Sequence, residues 1–507
     1  MRRNVLLVTL DQWRADALGA AGNAPIRTPH LDRLARQGAL FRNHFTQASP
    51  CGPARASLLT GLYQHNTQVL RNGSPLSADI TNLALEARRA GYDPALFGYT
   101  DSTPDPRGRD PADPALHSYE GVMPGFTPEL LLPTHERPWL AHLQEAGYRF
   151  DDVADAETPA AGAPPSGRPT CAATRYHARH SRSAFLTEAV LRYLSVRRAQ
   201  SWFAHVCYIA PHPPFVAPAP FHAMYRPADM PPCRAAPDAA TEARQHELLA
   251  HYLRRQQRRS FFASTSDLVS TLSAADFAQL RATYCGMVSE VDTQLGRLLG
   301  QLDQWGLVDE TLIVVTGDHG EMLGDHWMLG KEGYFAEAYH VPLVVRAPGA
   351  AAQEIAAFTE AVDVMPTILE WIGVSPPPRR DGRSLLALCR GDAPADWREA
   401  AHWEFDFSGA ERQLGLAPGA CALAVRRDAR FHYVHFAALP PLLFDLARDP
   451  ACLDSVAEAP QYAAAALACA RALLSWRMAS SSGALSHLLV TPEGLQDRTA
   501  GLAAKPR

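Results

Sequence analysis

Three apolar segments constrain the fold of this chain more than any other feature of its sequence. Val5 to Leu10, Trp202 to Ala210 and Thr311 to Thr316 lack the strict polar alternation of a half-exposed strand. Such runs are typical of parallel strands that helices cover on both faces. Open α/β sheets bind ligands where their strands end. The three runs are followed by chemically useful side chains, namely Asp11 and Gln12, His212, and Asp318 and His319.

Other stretches with helical or strand periodicity extend this pattern along the chain. The helices predicted from capping residues and spacing are Pro29 to Gly38, Ala54 to Leu59, Leu83 to Ala90, Tyr284 to Trp305, Val362 to Trp371 and Pro460 to Trp476. The further strands predicted are Ala95 to Tyr99, Pro342 to Val345, His402 to Phe407, Cys421 to Arg426 and Phe431 to Phe436.

The length of 507 residues favours more than one domain. A Pro- and Arg-rich segment from Pro376 to Arg380 marks the boundary, and short strands with an Ala-rich helix follow it. We therefore predict a large α/β domain over 1–375, with insertions at about 101–180 and 217–275. A smaller α+β subdomain is expected over 376–479 and a tail or oligomerisation arm over 480–507.

Composition excludes several classes of protein. Lys and Arg number 48 against 53 Asp and Glu, so the chain lacks the basic surplus of a nucleic-acid-binding protein. Nine dispersed cysteines fit a reducing compartment. The first apolar run is short and ends at Asp11, which is unlike a secretory signal, and no stretch reaches the length of a membrane span. We expect a cytoplasmic protein without a membrane partner.

The segment from Ser49 to Gly61 is the strongest local motif. Pro53 suits the first turn of a helix and Gly61 its end, so Cys51 is placed at a helix N-terminus, where an anion is favoured. A thiol there is a candidate nucleophile of low pKa, and a buried structural cysteine is the alternative. The spacing Cys51-x-Pro53-x-Arg55, followed by Leu-Thr-Gly, distinguishes this segment from an ordinary helix start.

The polar groups at the strand ends suggest a metal site. Carboxylates suit hard divalent cations, and an added imidazole suits metals of intermediate softness. Asp318 and His319 could equally form a turn, and Asp11 could cap a helix. Together with Cys51 and Arg55, however, they form a combination that chance rarely supplies.

The Cys51 pattern resembles the maturation signature of the sulfatases in the alkaline phosphatase superfamily. The resemblance runs from Asn4 to about Phe436, and Gly317 to Phe335 is its longest motif. With Gly61 to Asn66 and Asn72-Gly73, the chain is most similar to the phosphonate monoester hydrolase and phosphodiesterase group. A generic arylsulfatase has a second aspartate at the position of Gln12. The departure from that pattern in this chain matches the phosphonate monoester hydrolase group. The resemblance implies an alkaline phosphatase-like sandwich, with a large, mostly parallel sheet flanked by helices and a smaller C-terminal α+β subdomain.

The resemblance also implies a set of site residues. A maturation enzyme would oxidise Cys51 to formylglycine, and one divalent metal would be bound, with Mn²⁺ and Ca²⁺ the leading candidates and Zn²⁺ also compatible. The implied metal ligands are Asp11, Asp318, His319 and the modified Cys51, with a carbonyl oxygen from Gln12. Arg55 would orient the formylglycine hydrate. The residues expected to contact the substrate are Asn72, Tyr99, His212 and Lys331, with either Thr100 or Asp101. Tyr99 as a core residue and Lys331 as a surface charge are the alternatives.

The activity implied is hydrolysis of phosphonate monoesters and phosphodiesters, with promiscuous cleavage of sulfate monoesters, through a covalent formylglycine ester. An arylsulfatase or alkylsulfatase is the main alternative, since it would share the nucleophile and the ligands. A non-enzymatic metal-binding relative is a second alternative. The resemblance further implies a homo-oligomer, either a dimer or a tetramer.

Overall fold

The computed structural model of the chain describes residues 3–22, 25–132, 136–160, 167–262, 266–417, 419–481, 488–492 and 494–497. Its centre is an eight-stranded sheet within these ranges. The strands are β1 (Asn4–Leu10), β2 (Ala39–Phe45), β3 (Pro94–Gly98), β4 (Thr127–Leu131), β5 (Phe203–Tyr208), β6 (Thr311–Gly317), β7 (Leu343–Arg346) and β8 (Gln353–Glu360).

The spatial order of the sheet is β4-β3-β5-β1-β6-β7-β2-β8. Strand β7 pairs antiparallel with both β6 and β2, and the other pairings are parallel. The sheet is therefore mixed but mostly parallel, which confirms the predicted fold class. The three apolar runs recognised in the sequence form its central strands β5, β1 and β6.

Helices cover both faces of this sheet, and further helices belong to the rest of the chain. Those in the described residues are α1 (Pro29–Gln37), α2 (Cys51–Thr60), α3 (Gln64–Thr67), α4 (Leu83–Arg89), α5 (Arg137–Glu145), α6 (Val153–Ala156), α7 (Arg182–Ser195), α8 (Ala239–Glu242), α9 (Glu247–Leu253), α10 (Ala274–Gln304), α11 (Val364–Ile372), α12 (Leu386–Cys389), α13 (Glu411–Leu414) and α14 (Ala463–Ser480).

Strand β1 shows why its sequence is mostly apolar. Leu6, Val8 and Leu10 enter one hydrophobic core with α1, α7 and α10. Val5 and Leu7 enter a second core with α2, α4 and α11 on the opposite face. Because successive side chains of a strand point to opposite faces, burial on both sides favours apolar residues along the whole strand, and the buried hydroxyl of Thr9 is accommodated by a hydrogen bond with His205 Nε2 at 2.9 Å.

A second sheet follows in the C-terminal part of the chain. Its strands β9 (Ala400–Asp406), β10 (Ala422–Asp428), β11 (Phe431–Phe436) and β12 (Leu442–Asp445) are antiparallel in the order β12-β11-β10-β9. Helix α14 packs against β11 through Leu473 and Tyr433. The predicted smaller α+β subdomain is thus present. The boundary at residue 375 between it and the large domain remains a prediction.

Some elements differ from the sequence predictions. Helix α10 starts at Ala274, ten residues earlier than its predicted start, because Ser273 and Asp276 form a capping box. The predicted insertion over 101–180 contributes the edge strand β4. Strands β2 and β8 were not predicted, because both carry polar residues such as Arg42 and Glu354, which form a salt bridge.

The end of the chain is partly described. Strands β13 (Leu488–Thr491) and β14 (Gly494–Asp497) form a hairpin within the predicted arm, and the remainder of 482–507 lies outside the described residues. The nine cysteines are unpaired. None of the helices in the described part of the chain has the length and apolar character that a membrane span requires.

Gly98, the last residue of β3, provides a test of how closely β3 approaches β5. Its φ is +106°, and an added Cβ would lie 2.5 Å from the carbonyl oxygen of Cys207. We expect Gly98→Ala to lower the free energy of unfolding by about 2 kcal/mol or more, as measured by denaturant titration. The control Gly300→Ala, at a helical site with no atom within 4 Å, should be neutral or stabilise by about 0.5–1 kcal/mol. Equal effects of the two substitutions would contradict the close approach.

Candidate active site

The register of the central strands brings the candidate residues together. Leu10 pairs with Gly317 on one side of β1 and with Tyr208 on the other. Asp11 and Asp318 therefore leave adjacent strands at the same level. Helix α2 begins at Cys51 above them, and Gly61 ends it with φ +67°. The prediction that Cys51 opens a helix is confirmed.

Asp11, Cys51, Asp318 and His319 form a compact group. One potential ligand atom from each lies within 4.8 Å of the others, and all four residues are buried. His319 Nε2 is 3.2 Å from Cys51 Sγ and 3.6 Å from Asp11 Oδ1. These distances suit residues that surround one ion.

The hydrogen bonds of this group leave His319 Nε2 and Asp11 Oδ1 available to a metal. His319 Nδ1 donates to the Gly320 carbonyl at 3.1 Å, so the lone pair of Nε2 faces the group. Asp11 Oδ1 is buried and has no hydrogen-bond partner among the described residues. An unpaired buried carboxylate oxygen is costly, and a cation at this position would satisfy it. The donor set therefore fits a divalent metal.

Burial and charge determine the protonation states. Burial lowers the pKa of His319 to about 4, against the opposing effect of Asp318, so the imidazole is neutral and able to bind a metal. Burial tends to raise the pKa of Asp318, but His319 and Arg55 outweigh it and the pKa is lowered. Burial and the Asp11 charge raise the pKa of the Cys51 thiol well above its usual value. Both effects oppose the hypothesis that Cys51 acts as a plain thiol nucleophile of low pKa.

Arg55 holds the two carboxylates rather than the nucleophile. Its Nε donates to Asp318 Oδ2 at 2.9 Å and its Nη2 to Asp11 Oδ2 at 3.1 Å. Its Nη1 donates to the Tyr99 carbonyl at 2.9 Å and to Cys207 Sγ at 2.7 Å. The side chain is 1% exposed. These contacts make Arg55 a positioning residue for the candidate metal ligands.

Gln12 connects Lys331 to Glu321, a residue that the sequence analysis did not identify as part of the site. Lys331 Nζ donates to Gln12 Oε1 at 2.8 Å and to Cys51 Sγ at 3.3 Å. Gln12 Nε2 in turn donates to Glu321, which also accepts from two backbone N–H groups. The carbonyl oxygen expected to bind the metal thus accepts a hydrogen bond from Lys331. Glu321 could have been identified from its place in the Asp318-His319-Gly320-Glu321 motif.

A cavity of about 300 Å³ opens above this group. Six of the predicted site residues line it, namely Asp11, Cys51, Asn72, Tyr99, His212 and Lys331. Tyr99 donates a hydrogen bond to Asp11, and Asn72 Oδ1 accepts one from the Gly52 amide at 2.9 Å. Lys331 is partly buried and its ammonium donates into the site, so the surface-charge interpretation does not describe it.

Of the two neighbours Thr100 and Asp101, it is Asp101 that lines the cavity. Its φ is +48°, which rotates the chain as it leaves β3. The Thr100 hydroxyl donates to the Gly121 carbonyl at 3.0 Å and accepts from the Met123 amide at 2.7 Å. Thr100 therefore fixes the following loop and does not border the cavity.

His212 and Lys331 differ in charge. His212 Nδ1 donates to the Pro213 carbonyl at 2.8 Å, and burial with the nearby Lys331 lowers its pKa to about 3. The ring is thus neutral, with Nε2 as an acceptor. Burial tends to lower the pKa of Lys331, but Cys51, Asp11 and Asp318 outweigh it and the pKa is raised. Lys331 is the cation that faces the nucleophile position.

Comparison with known proteins places this geometry in a family. The sulfatase family model matches residues 3–374. The model for the C-terminal part of N-sulphoglucosamine sulphohydrolase matches 324–478. The multifunctional alkaline phosphatase superfamily protein PehA of Trinickia caryophylli is 44% identical over 518 residues, with 98% of this chain and 99% of PehA covered.

Two solved structures are similar over nearly their whole length. The phosphonate monoester hydrolase of Agrobacterium radiobacter has a TM-score of 0.95 and 47% identity, covering 98% of this chain and 100% of that one. The phosphonate monoester hydrolase of Silicibacter pomeroyi has a TM-score of 0.93 and 42% identity, covering 98% and 99%. These similarities make the protein an ester-hydrolysing enzyme. The chain belongs to the sulfatase family of the alkaline phosphatase superfamily.

Proposed function

We propose that this enzyme is a metal-dependent formylglycine hydrolase that cleaves phosphonate monoesters and phosphodiesters, with slower cleavage of sulfate monoesters. The observation that carries the proposal is the convergence of Asp11, Asp318, His319 and Lys331 on Cys51 at the base of one cavity. A non-enzymatic relative would be expected to lack part of this set.

Asp11, Asp318, His319 and the oxygen that replaces the Cys51 sulfur would hold the divalent cation. When bound, the cation would lower the pKa of the formylglycine hydrate, which supplies the nucleophile, and would stabilise negative charge on the substrate. Mn²⁺ and Ca²⁺ remain the leading candidates, since three oxygen ligands favour a hard ion and the imidazole permits Mn²⁺.

The residues of the cavity would orient the ester and stabilise its charge. Lys331 Nζ, 3.3 Å from Cys51 Sγ, is placed to neutralise a phosphoryl or sulfuryl oxygen and to supply a proton to the departing alkoxide. Asn72 and Tyr99 border the same space. His212 is neutral, so its Nε2 would accept a hydrogen bond. We assign it to orientation and Lys331 to leaving-group protonation.

Metal content tests the ligand set. Asp318→Ala removes a buried carboxylate of the group and leaves Arg55 without the carboxylate that accepts from its Nε. We expect this variant to retain less than about one tenth of the bound metal found in the wild type, as measured by elemental analysis after dialysis. Asp309→Ala, at a side chain that is 92% exposed, is the control and should bind metal normally. Full metal occupancy in Asp318→Ala would show that the ligands lie elsewhere.

The state of Cys51 tests the nucleophile. We expect peptide mass spectrometry of active enzyme to show an aldehyde or its hydrate in place of the Cys51 thiol, while Cys285 remains a thiol. Cys51→Ala should abolish turnover. Because Cys51 is only 5% exposed, we expect the maturation enzyme to act before folding is complete. Fully active protein with an unmodified Cys51 would refute the formylglycine mechanism.

Substrate charge tests the ester class. Gln12 is neutral and adds no negative charge, and the cations that the described residues place at the catalytic end are Lys331 and Arg55, to which the metal would be added. Monoanionic esters need no more, whereas phosphate monoesters carry about two charges. We expect kcat/KM on matched aryl esters to be highest for phosphonate monoesters and phosphodiesters, lower for sulfates, and lowest for phosphate monoesters, by roughly tenfold or more, the equivalent of about 1.4 kcal/mol.

Gln12→Asp provides the internal control for this argument. It would replace the amide between Lys331 and Glu321 by a carboxylate, which should lower kcat/KM more for the phosphate monoester than for the monoanionic esters and should change the metal content. Unchanged relative kcat/KM values and an unchanged metal content would disprove the charge argument. A wild-type preference for sulfate esters over both phosphorus monoanions would instead support an arylsulfatase or alkylsulfatase.

A further inference from the structure

One wall of the cavity contains an ion-pair group that the catalytic proposal does not use. Glu136 precedes α5, Glu157 follows α6 and Arg182 begins α7. Arg182 Nη1 donates to Glu136 Oε1 at 2.7 Å, and its Nη2 donates to Glu157. All three residues line the cavity. The group therefore borders the space that a substrate would enter.

Glu136 retains an unused acceptor in this group. The residue is 3% exposed, and its Oε2 is buried without a hydrogen-bond partner among the described residues. A buried carboxylate oxygen without a partner is destabilising, because it has lost its hydrogen bonds to water. A donor carried by a ligand in the cavity would satisfy it, in the same way that a cation would satisfy Asp11 at the catalytic end.

The charges on this wall favour a cationic donor over a neutral one. Glu120 also lines the cavity, so three carboxylates face one guanidinium. Burial and the neighbouring Glu157 raise the pKa of Glu136 to about 7, and only Arg182 strongly opposes them. An added positive charge would stabilise the ionised carboxylate. A primary ammonium supplies both the charge and the hydrogen-bond donors.

The position of the group indicates which part of the ester it would contact. The phosphoryl group would be held at Cys51, and Glu136, Arg182 and His212 line the same cavity, into which the rest of the ester would extend. Leu132, Val153 and Ile209 also line the cavity, which suits a short methylene chain. Resting on the proposed function, we infer that Glu136 binds a primary ammonium group on the alcohol portion of the ester, as in a 2-aminoethyl ester.

The experiment compares two isosteric alcohols on the metal-loaded, Cys51-converted enzyme. We would measure kcat/KM for the 2-aminoethyl and propyl monoesters of one phosphonate, and for the corresponding pair of sulfates. The wild type should favour the aminoethyl ester by about tenfold or more, mainly through KM. Glu136→Gln keeps the size of the side chain and an acceptor for Arg182 but removes the charge, so it should bring the ratio close to one. Glu145→Gln, at an exposed position of α5, is the control and should retain the wild-type ratio.

The results separate a binding role from a structural one. A wild-type ratio of one or less would overturn the inference without any variant. It would also be overturned if Glu136→Gln slowed both esters equally and kept the ratio, because the ion pair would then only connect α5 to α7. Turnover of the sulfate pair alone would refute the proposed ester class, while the sulfate ratio would still decide the role of Glu136. If neither pair is cleaved, calorimetric binding of both phosphonate esters to Cys51→Ala, with and without Glu136→Gln, gives the same ratio.

Discussion

The guanidinium of Arg55 between the carboxylates of Asp11 and Asp318 is the interaction on which the rest of the site depends. The two acids leave adjacent parallel strands and would repel each other in a buried space. Arg55 binds one oxygen of each and is itself 1% exposed. Loss of one member of such a buried pair typically costs about 3–5 kcal/mol. The ion pairs therefore offset the repulsion between the two acids and leave Asp11 Oδ1 available to a cation.

Lys331 balances the charge on the other side of the group. Its ammonium lies between Gln12 and Cys51, so Lys331 and the buried Arg55 both face Asp11 and Asp318 before any metal is bound. A divalent ion would then give the site a net positive charge, which suits an anionic ester. The neutral side chain of Gln12 leaves that net positive charge unchanged, whereas a carboxylate at this position would reduce it. This balance would favour an anion at the catalytic end, whereas the Glu136–Arg182–Glu157 group in the same cavity, with two carboxylates on one guanidinium, has the opposite character.

The catalytic end could be predicted from the sequence because its residues follow strong local patterns. Asp11 and Asp318 end continuous apolar runs, and Cys51 begins a helix that Pro53 and Gly61 delimit. The ion pair between Glu136 and Arg182 could not be predicted, since the two residues are 46 positions apart and neither belongs to a recognisable motif. The choice between Thr100 and Asp101 depended on a single backbone rotation, and strands β2 and β8 carry polar residues that obscure their alternation.

Gln12 shows how backbone conformation and charge are linked at this site. Its φ is +64°, a conformation that costs about 1–3 kcal/mol for a residue other than glycine. The strained residue is held from both sides, because its N–H donates to Asp318 Oδ1 at 3.1 Å and its carbonyl accepts from the Tyr284 hydroxyl at 2.8 Å. The turn also directs the side chain between Lys331 and Glu321. A single left-handed residue at the end of β1 therefore fixes an oxygen of Asp318, orients Lys331 towards Cys51 and connects the metal ligands to the residue that would protonate the leaving group.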